Sequence, residues 1–100
     1  MKIKNGVEVN GLRPEILLAI FIADGIWNKH GQELVITSCT DGKHGRGSKH
    51  YIGNAFDGRT RYFNEDEKHA ILIELKNSLG EQYDVVLESD HMHIEFDPKV

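Results

Sequence analysis

Two stretches of the chain repeat apolar residues at helical spacing. Apolar side chains recur every three or four positions from Ile16 to Trp27, and Gly31 follows, which predicts a helix that begins near Pro14. A second apolar run, from Ala70 to Leu79, follows Asn64-Glu65-Asp66-Glu67, which has the pattern of an N-cap with a capping box. We therefore expect two amphipathic helices.

Short β-branched or alternating runs predict strands at 33–38, 51–57, 83–88 and 92–96. Asn5-Gly6, between two short alternating segments, predicts a type I′ hairpin near the start of the chain. Ser89-Asp90-His91 is expected at or near the turn between the last two strands, and the glycine-rich stretch 39–48 is expected to be a loop. The fold class predicted is α+β, with two helices packed on one small antiparallel sheet.

Composition narrows the function classes. The 100 residues predict a single domain over 1–100, and the net charge of −4 argues against a nucleic-acid partner. The longest apolar stretch, 16–22, is too short to span a bilayer, so no membrane partner is expected. Cys39 is the only cysteine, which excludes an intramolecular disulfide and a cysteine-based zinc finger. We expect a monomer that is made in the cytoplasm without a signal peptide.

Histidine and glutamate alternate with apolar residues in the last predicted strand. His91, His93 and Glu95 fall on one face, because successive side chains of a strand point to opposite sides. The apolar residues between them would face the helices. The imidazoles should therefore be exposed or line a cleft on the other face.

An imidazole and a carboxylate, His50 and Asp57, stand seven positions apart earlier in the chain. Gly53 and Ala55 share a strand face with Asp57, which leaves room for an ion and its water, although small residues also allow close helix packing. His50 has the wrong parity for that face and must reach back from the preceding loop or turn. With His93 these two would give three ligands and an open position, the arrangement of catalytic zinc.

The runs Ser48-x-His50-x-x-Gly53-x-Ala55-x-Asp57 and Asp90-x-x-His93 resemble the M15 family of zinc-dependent D,D-carboxypeptidases and phage endolysins, which cleave D-alanyl bonds in bacterial cell-wall peptides. With His91-x-His93, the same stretch is also similar to the metal-binding half of the Hedgehog signalling domain, which shares that fold. The resemblance implies a Hedgehog/DD-peptidase-like fold and one zinc ion per chain. It makes His50, Asp57 and His93 the ligands and a peptidoglycan stem peptide the substrate.

The resemblance also assigns roles around the metal. Asp90 falls where these peptidases carry a catalytic acidic residue, usually Glu, and would serve as general base. The shorter side chain leaves Glu88 and His91 as substitutes. His91 would hydrogen-bond the developing oxyanion or share the proton transfer, and Ser48 would orient a ligand or the substrate.

Substrate binding is harder to assign. Several family members carry an arginine where this chain has Thr37-Ser38-Cys39-Thr40. Arg46, Arg59 and Arg61 are the candidates to replace it, since arginine recognises carboxylates such as a peptide C-terminus. His44 lies in the same polar loop and is a further candidate for substrate contact.

Three functions compete on the sequence alone. The first is a phage- or prophage-type peptidoglycan hydrolase, which would reach the cell wall or periplasm after release or as a virion component. The second is a zinc-binding structural or partner-binding module without hydrolytic activity. The third, a cupin-type oxygenase suggested by His91-x-His93-Ile94-Glu95, is disfavoured because no later histidine completes the ligand set.

Overall fold

The computed structural model describes residues 1–40 and 53–98. In these two ranges the chain forms two helices and five strands: β1 (Lys2–Ile3), α1 (Pro14–Lys29), β2 (Val35–Ser38), β3 (Ala55–Arg59), α2 (Glu65–Leu79), β4 (Tyr83–Leu87) and β5 (His91–Phe96). Of the predicted strand 51–57, the first two residues lie outside the described residues. The rest of it is displaced, because Gly53 forms a turn and the strand continues to Arg59.

The five strands form one sheet in the order β1-β2-β3-β5-β4. β3, β5 and β4 pair antiparallel with their neighbours, as β2 does with β3, whereas β1 pairs parallel with β2. The α+β prediction is confirmed. The prediction of a purely antiparallel sheet is wrong, because the sheet is mixed.

The N-terminal hairpin is the element that the sequence predicted wrongly. A turn does form at Asn5-Gly6, closed by the Val7 amide donating to the Lys4 carbonyl (3.2 Å). Only Gly6 has positive φ (87°), whereas a type I′ turn needs positive φ at both central residues. The chain therefore does not fold back on itself. It continues alongside β2, and the Thr40 amide donates to the Glu8 carbonyl (2.9 Å).

Helix α1 covers one face of the sheet through a row of buried residues, which are Ile16, Ala19, Ile20, Ala23, Ile26 and Trp27. Trp27 is fully buried, and its Nε1–H donates to the Arg59 carbonyl at 2.8 Å. Gly58 makes room for it, because a Cβ at that position would lie 2.9 Å from Leu34 and 3.4 Å from Trp27. The end of β3 is thereby fixed against α1.

Helix α2 begins as the sequence predicted. The Asn64 side chain accepts from the Glu67 amide (2.8 Å), and Glu67 accepts from the Asn64 amide (3.0 Å), which completes a capping box. Ile71 and Leu75 are fully buried against the sheet and α1. Neither helix in the described part of the chain is long and apolar enough to cross a membrane.

Candidate metal centre

The polar side chains of interest lie on the sheet face opposite the helices. β3 and β5 pair so that Asp57 is directly across from His93, and Arg59 is across from His91. The residues on the other face of β5, Met92 and Ile94, are fully buried. The two faces of β5 are therefore those expected from the alternation of its residues.

A bulge in β2 adds a residue to this row. Ile36 pairs with Gly58, but Ser38 pairs with Asp57, so that Thr37 is the extra residue between them. The shift moves Ser38 into the cross-strand row of Asp57, and the Thr37 hydroxyl lies 3.5 Å from the Asp57 carbonyl oxygen. This bulge could not be predicted from the sequence, because no glycine marks it.

His93 lies between two carboxylates. Its Nδ1 is 3.0 Å from Asp57 Oδ1 and its Nε2 is 2.8 Å from Glu95 Oε1. All three side chains are shielded, with 21% of His93, 14% of Asp57 and 21% of Glu95 exposed. The hydrogen bond to Asp57 raises the pKa of His93 most, burial opposes the rise, and Glu95 adds to it. Without a metal the site thus favours a proton on each ring nitrogen.

His91 is oriented by its neighbour in the chain. Its Nδ1–H donates to Asp90 Oδ1 at 2.8 Å, which leaves Nε2 directed toward Asp57 Oδ2 at 3.9 Å. The same hydrogen bond is the main reason that the pKa of Asp90 is lowered, and the positive charge of Arg61 contributes less. Asp90 is therefore ionised at neutral pH and accepts from His91, an arrangement that fixes the imidazole tautomer.

The turn that carries Asp90 is held from two directions. Glu88, Ser89 and Asp90 link β4 to β5, and the Glu88 amide donates to the His91 carbonyl at 2.9 Å. The Thr60 amide donates to the Asp90 carbonyl (3.0 Å), and the nearly buried Lys68 donates through Nζ to the Ser89 carbonyl (3.1 Å). Asp90 is itself exposed, but its backbone is fixed.

Four of the predicted site residues lie within the described ranges and four do not. Asp57, His91 and His93 lie on one face of β3 and β5, and Asp90 immediately precedes β5. The other predicted residues, which are His44, Arg46, Ser48 and His50, lie outside the described residues.

The two described residues of the predicted ligand set, Asp57 and His93, have a spacing that would fit one zinc ion. Ligand atoms on a tetrahedral zinc with bonds of about 2.0 Å are about 3.3 Å apart, close to the 3.0 Å between Asp57 Oδ1 and His93 Nδ1. An imidazole nitrogen and a carboxylate oxygen are also the donor types that zinc accepts. Asp57 and His93 are therefore suited to share one metal ion.

The small residues before Asp57, Gly53 and Ala55, serve packing rather than leaving room for an ion and its water. Gly53 has φ of 76°, and a Cβ there would collide with the Gly11 carbonyl oxygen. The Arg13 amide donates to the Gly53 carbonyl at 3.0 Å. Gly53 thus permits close approach of its backbone to that of Gly11, which agrees with a packing role for this small residue. Ala55 is fully buried, directly across from Glu95.

The candidate substrate-binding arginines separate. Arg59 lies beside His91 on the polar face and is partly buried. Arg61 is exposed, donates to the Tyr62 hydroxyl at 3.0 Å and lies 4.9 Å from the centre of that ring. Of these two, Arg59 is the one in the row of polar residues. Glu88, the suggested substitute base, is exposed beside the β4–β5 turn.

A second group of potential ligands was not predicted. Asp84, Glu95 and Asp97 have carboxylate oxygens within 4.8 Å of one another, at the opposite end of β5 from Asp90. Asp84 is directly across from Glu95. Exposed acidic groups commonly cluster without an ion, and this cluster has no geometry specific to zinc.

No family model, curated protein or solved structure matches this chain.

Proposed function

We propose that this protein is a zinc-dependent peptidase that hydrolyses D-alanyl peptide bonds in bacterial peptidoglycan. The observation that carries the proposal is the 3.0 Å approach of Asp57 Oδ1 and His93 Nδ1 on neighbouring strands. His91 Nε2 lies 3.9 Å from Asp57 Oδ2, and His91 is hydrogen-bonded to Asp90. The sequence runs around His50 and His93 resemble the M15 peptidases, and the Hedgehog/DD-peptidase-like fold is part of the same proposal.

Asp57, His93 and His50 would hold one zinc ion. When bound, zinc supplies Lewis acidity, which lowers the pKa of a coordinated water toward about 7 and polarises a scissile carbonyl. His93 must give up the proton on Nδ1 to serve as a ligand, because a ring nitrogen binds a metal only through its free lone pair.

Asp90 and His91 would handle the proton as a pair. Asp90 holds the His91 proton on Nδ1, so that Nε2 faces Asp57 with its lone pair and can accept a proton. Asp90 would then stabilise the imidazolium by charge. Its lowered pKa makes it a weak base on its own, which favours this role over direct proton abstraction by Asp90.

Arg59 is the described residue best located to bind a substrate carboxylate, because it lies across from His91 on the polar face. Arg46, Ser48 and His44 would contribute from the preceding segment. Release at lysis, or delivery with a virion, would bring the protein to the cell wall, where it would act as a monomer.

The test is digestion of purified peptidoglycan stem peptides, with products identified by mass spectrometry. Cleavage of a D-alanyl bond is expected with zinc and not with a chelator. Asp57→Ala should reduce cleavage to background, whereas His69→Gln, which replaces an exposed histidine of α2 that is hydrogen-bonded within its own helix, should leave it unchanged. Undiminished cleavage by Asp57→Ala would refute the assigned site.

A variant at His91 tests whether the general base is the Asp90–His91 pair or Asp90 alone. If the Asp90–His91 pair moves the proton, His91→Gln and Asp90→Asn should each lower kcat by about 100-fold or more. If Asp90 acts directly, only Asp90→Asn should have an effect of that size.

The second candidate is a zinc-binding module without hydrolytic activity. It is favoured by one observation, the engagement of Asp90 by His91, which lowers the pKa of the residue that the resemblance makes the base. Zinc binding without cleavage of any stem peptide would support it.

A further inference from the structure

We propose that Glu95 is a positioning residue of the metal centre, which holds the His93 proton on Nε2 and so presents the Nδ1 lone pair toward Asp57. The inference rests on the zinc site of the proposed function but not on peptide hydrolysis. Glu95 is two residues beyond His93 on the same face of β5.

The surroundings of His93 determine which ring nitrogen would bind a metal and which would carry the proton. Asp57 lies on the Nδ1 side. An ion shared with Asp57 would bind Nδ1, which must then be unprotonated, and a neutral imidazole carries its proton on Nε2. The acceptor for that N–H is Glu95 Oε1, at 2.8 Å. A carboxylate on the distal nitrogen of a histidine ligand fixes the ring orientation and makes the ligand nitrogen more basic.

The surroundings of Glu95 favour this orientation. Across the sheet on one side is Ala55, which has no side chain beyond Cβ and is fully buried. On the other side is the carboxylate of Asp84. Asp84 and Asp97 both have a carboxylate oxygen within 4.8 Å of one of Glu95, and these negative charges favour the pairing of Glu95 with the His93 N–H along its own strand.

The matched experiment compares zinc affinity in Glu95→Ala, Glu95→Gln and Asp66→Asn, measured by competition with a chromogenic chelator. Glu95→Ala is expected to lose about 10–100-fold in affinity, the usual effect of removing such a partner. Glu95→Gln keeps an acceptor oxygen and should fall between Glu95→Ala and the unaltered chain. Asp66→Asn removes one exposed negative charge from α2, away from the polar face of the sheet, and should stay within about twofold.

A spectroscopic measurement separates positioning from loss of charge or of structure. In the zinc-loaded protein, the ¹⁵N and ¹H signals of His93 should report a metal on Nδ1 and a slowly exchanging proton on Nε2. Glu95→Ala should retain the Nδ1–zinc signal but lose the protection of the Nε2 proton. Coordination through Nε2 in the unaltered chain would overturn the inference.

The outcomes are distinguishable from those of the proposed function. Equal zinc affinity of Glu95→Ala and the unaltered chain would overturn the role of Glu95 alone. The expected loss of affinity together with intact stem peptides would support Glu95 and overturn the peptidase. Failure of the unaltered chain to bind zinc would overturn both.

Discussion

The two faces of β5 satisfy different requirements within one six-residue strand. On the helix-covered face, Met92 and Ile94 are fully buried among apolar residues. On the other face, imidazoles and carboxylates alternate in an order that is continuous through space, namely Asp90, His91, Asp57, His93 and Glu95.

The two faces differ in how closely their interactions depend on the positions of individual atoms. Burial of apolar surface is non-directional and roughly proportional to area, so many combinations of similar volume would serve on the helix side. The polar row depends on individual atoms, since a displacement of about 1 Å breaks a hydrogen bond. Substitutions should therefore separate stability from ligand binding according to the face that they alter.

The largest effect is expected on the helix side at Trp27. Trp27→Ala should lower the free energy of unfolding by about 3–5 kcal/mol, because it leaves a cavity and an unpaired Arg59 carbonyl. Urea denaturation measures the loss. A decrease below about 1 kcal/mol would mean that the packing around Trp27 does not control the stability of this face.

A pair of variants at neighbouring rows of the sheet tests the separation directly. Asp57→Ala should weaken zinc binding by more than about 100-fold, since it removes a ligand rather than the partner of one. Met92→Ala, in the adjacent row but on the helix side, should cost about 2–5 kcal/mol of stability and leave the zinc affinity of the folded protein within about twofold. Calorimetric titration of folded samples gives both affinities. Similar zinc affinities in the two variants would contradict the comparison.

The sequence predicted most of the elements because their signals are local. Helical periodicity, the capping box at Asn64 and the alternation of β5 each involve residues within a few positions of one another. The N-terminal pairing could not be predicted in this way, because parallel contact of β1 with β2 joins segments some 30 residues apart. Asn5-Gly6 suits both a type I′ turn and a turn in which only Gly6 has positive φ. The second occurs here, together with the parallel pairing of β1 with β2.

The sequence predicted which residue types lie on the polar face of β5, but not which residues of the neighbouring strands they contact. Alternation alone puts His91, His93 and Glu95 on one face. The register that brings Asp57 to His93 depends on the pairing of strands distant in sequence, and the bulge at Thr37 depends on the same pairing. The hydrogen bond from Lys68 to the Ser89 carbonyl could not be predicted, because lysines in helices are usually exposed.

A smaller effect is expected where the N-terminal segment meets β3. Gly53→Ala should cost about 2 kcal/mol or more, since it combines a left-handed backbone with a collision at the Gly11 carbonyl. Gly6→Ala is the control, with φ of 87° but no atom within 4 Å of the new Cβ, and should cost about 1 kcal/mol. Urea denaturation compares the two. Equal losses would show that the approach of Gly11 to Gly53 is not a constraint.

The smallest effect is expected at Glu74, a carboxylate that links the two helices. Glu74 of α2 accepts hydrogen bonds from Lys29, which lies in α1, and from His30 just beyond it (3.1 Å). The hydrogen bond from Lys29 lowers the pKa of Glu74 most, and that from His30 lowers it further. A carboxyl whose pKa is lower in the folded than in the unfolded chain stabilises above its unfolded pKa, near 4.5, and this stability disappears as the pH falls through the folded pKa.

Glu74→Gln should therefore be less stable than the unaltered chain at pH 5.5–7, by no more than about 1 kcal/mol because Lys29 is largely exposed and the ion pair is screened by solvent. The difference should shrink as the pH falls through the folded pKa of Glu74, which lies below 4.5, because the carboxyl is then protonated in both states. Glu81→Gln removes a charge just beyond α2 and should show no such pH dependence. Thermal denaturation at each pH measures these differences. A gap between Glu74→Gln and the unaltered chain that widens on acidification would contradict the ion pair, and the contact between the helices would then rest on apolar packing alone.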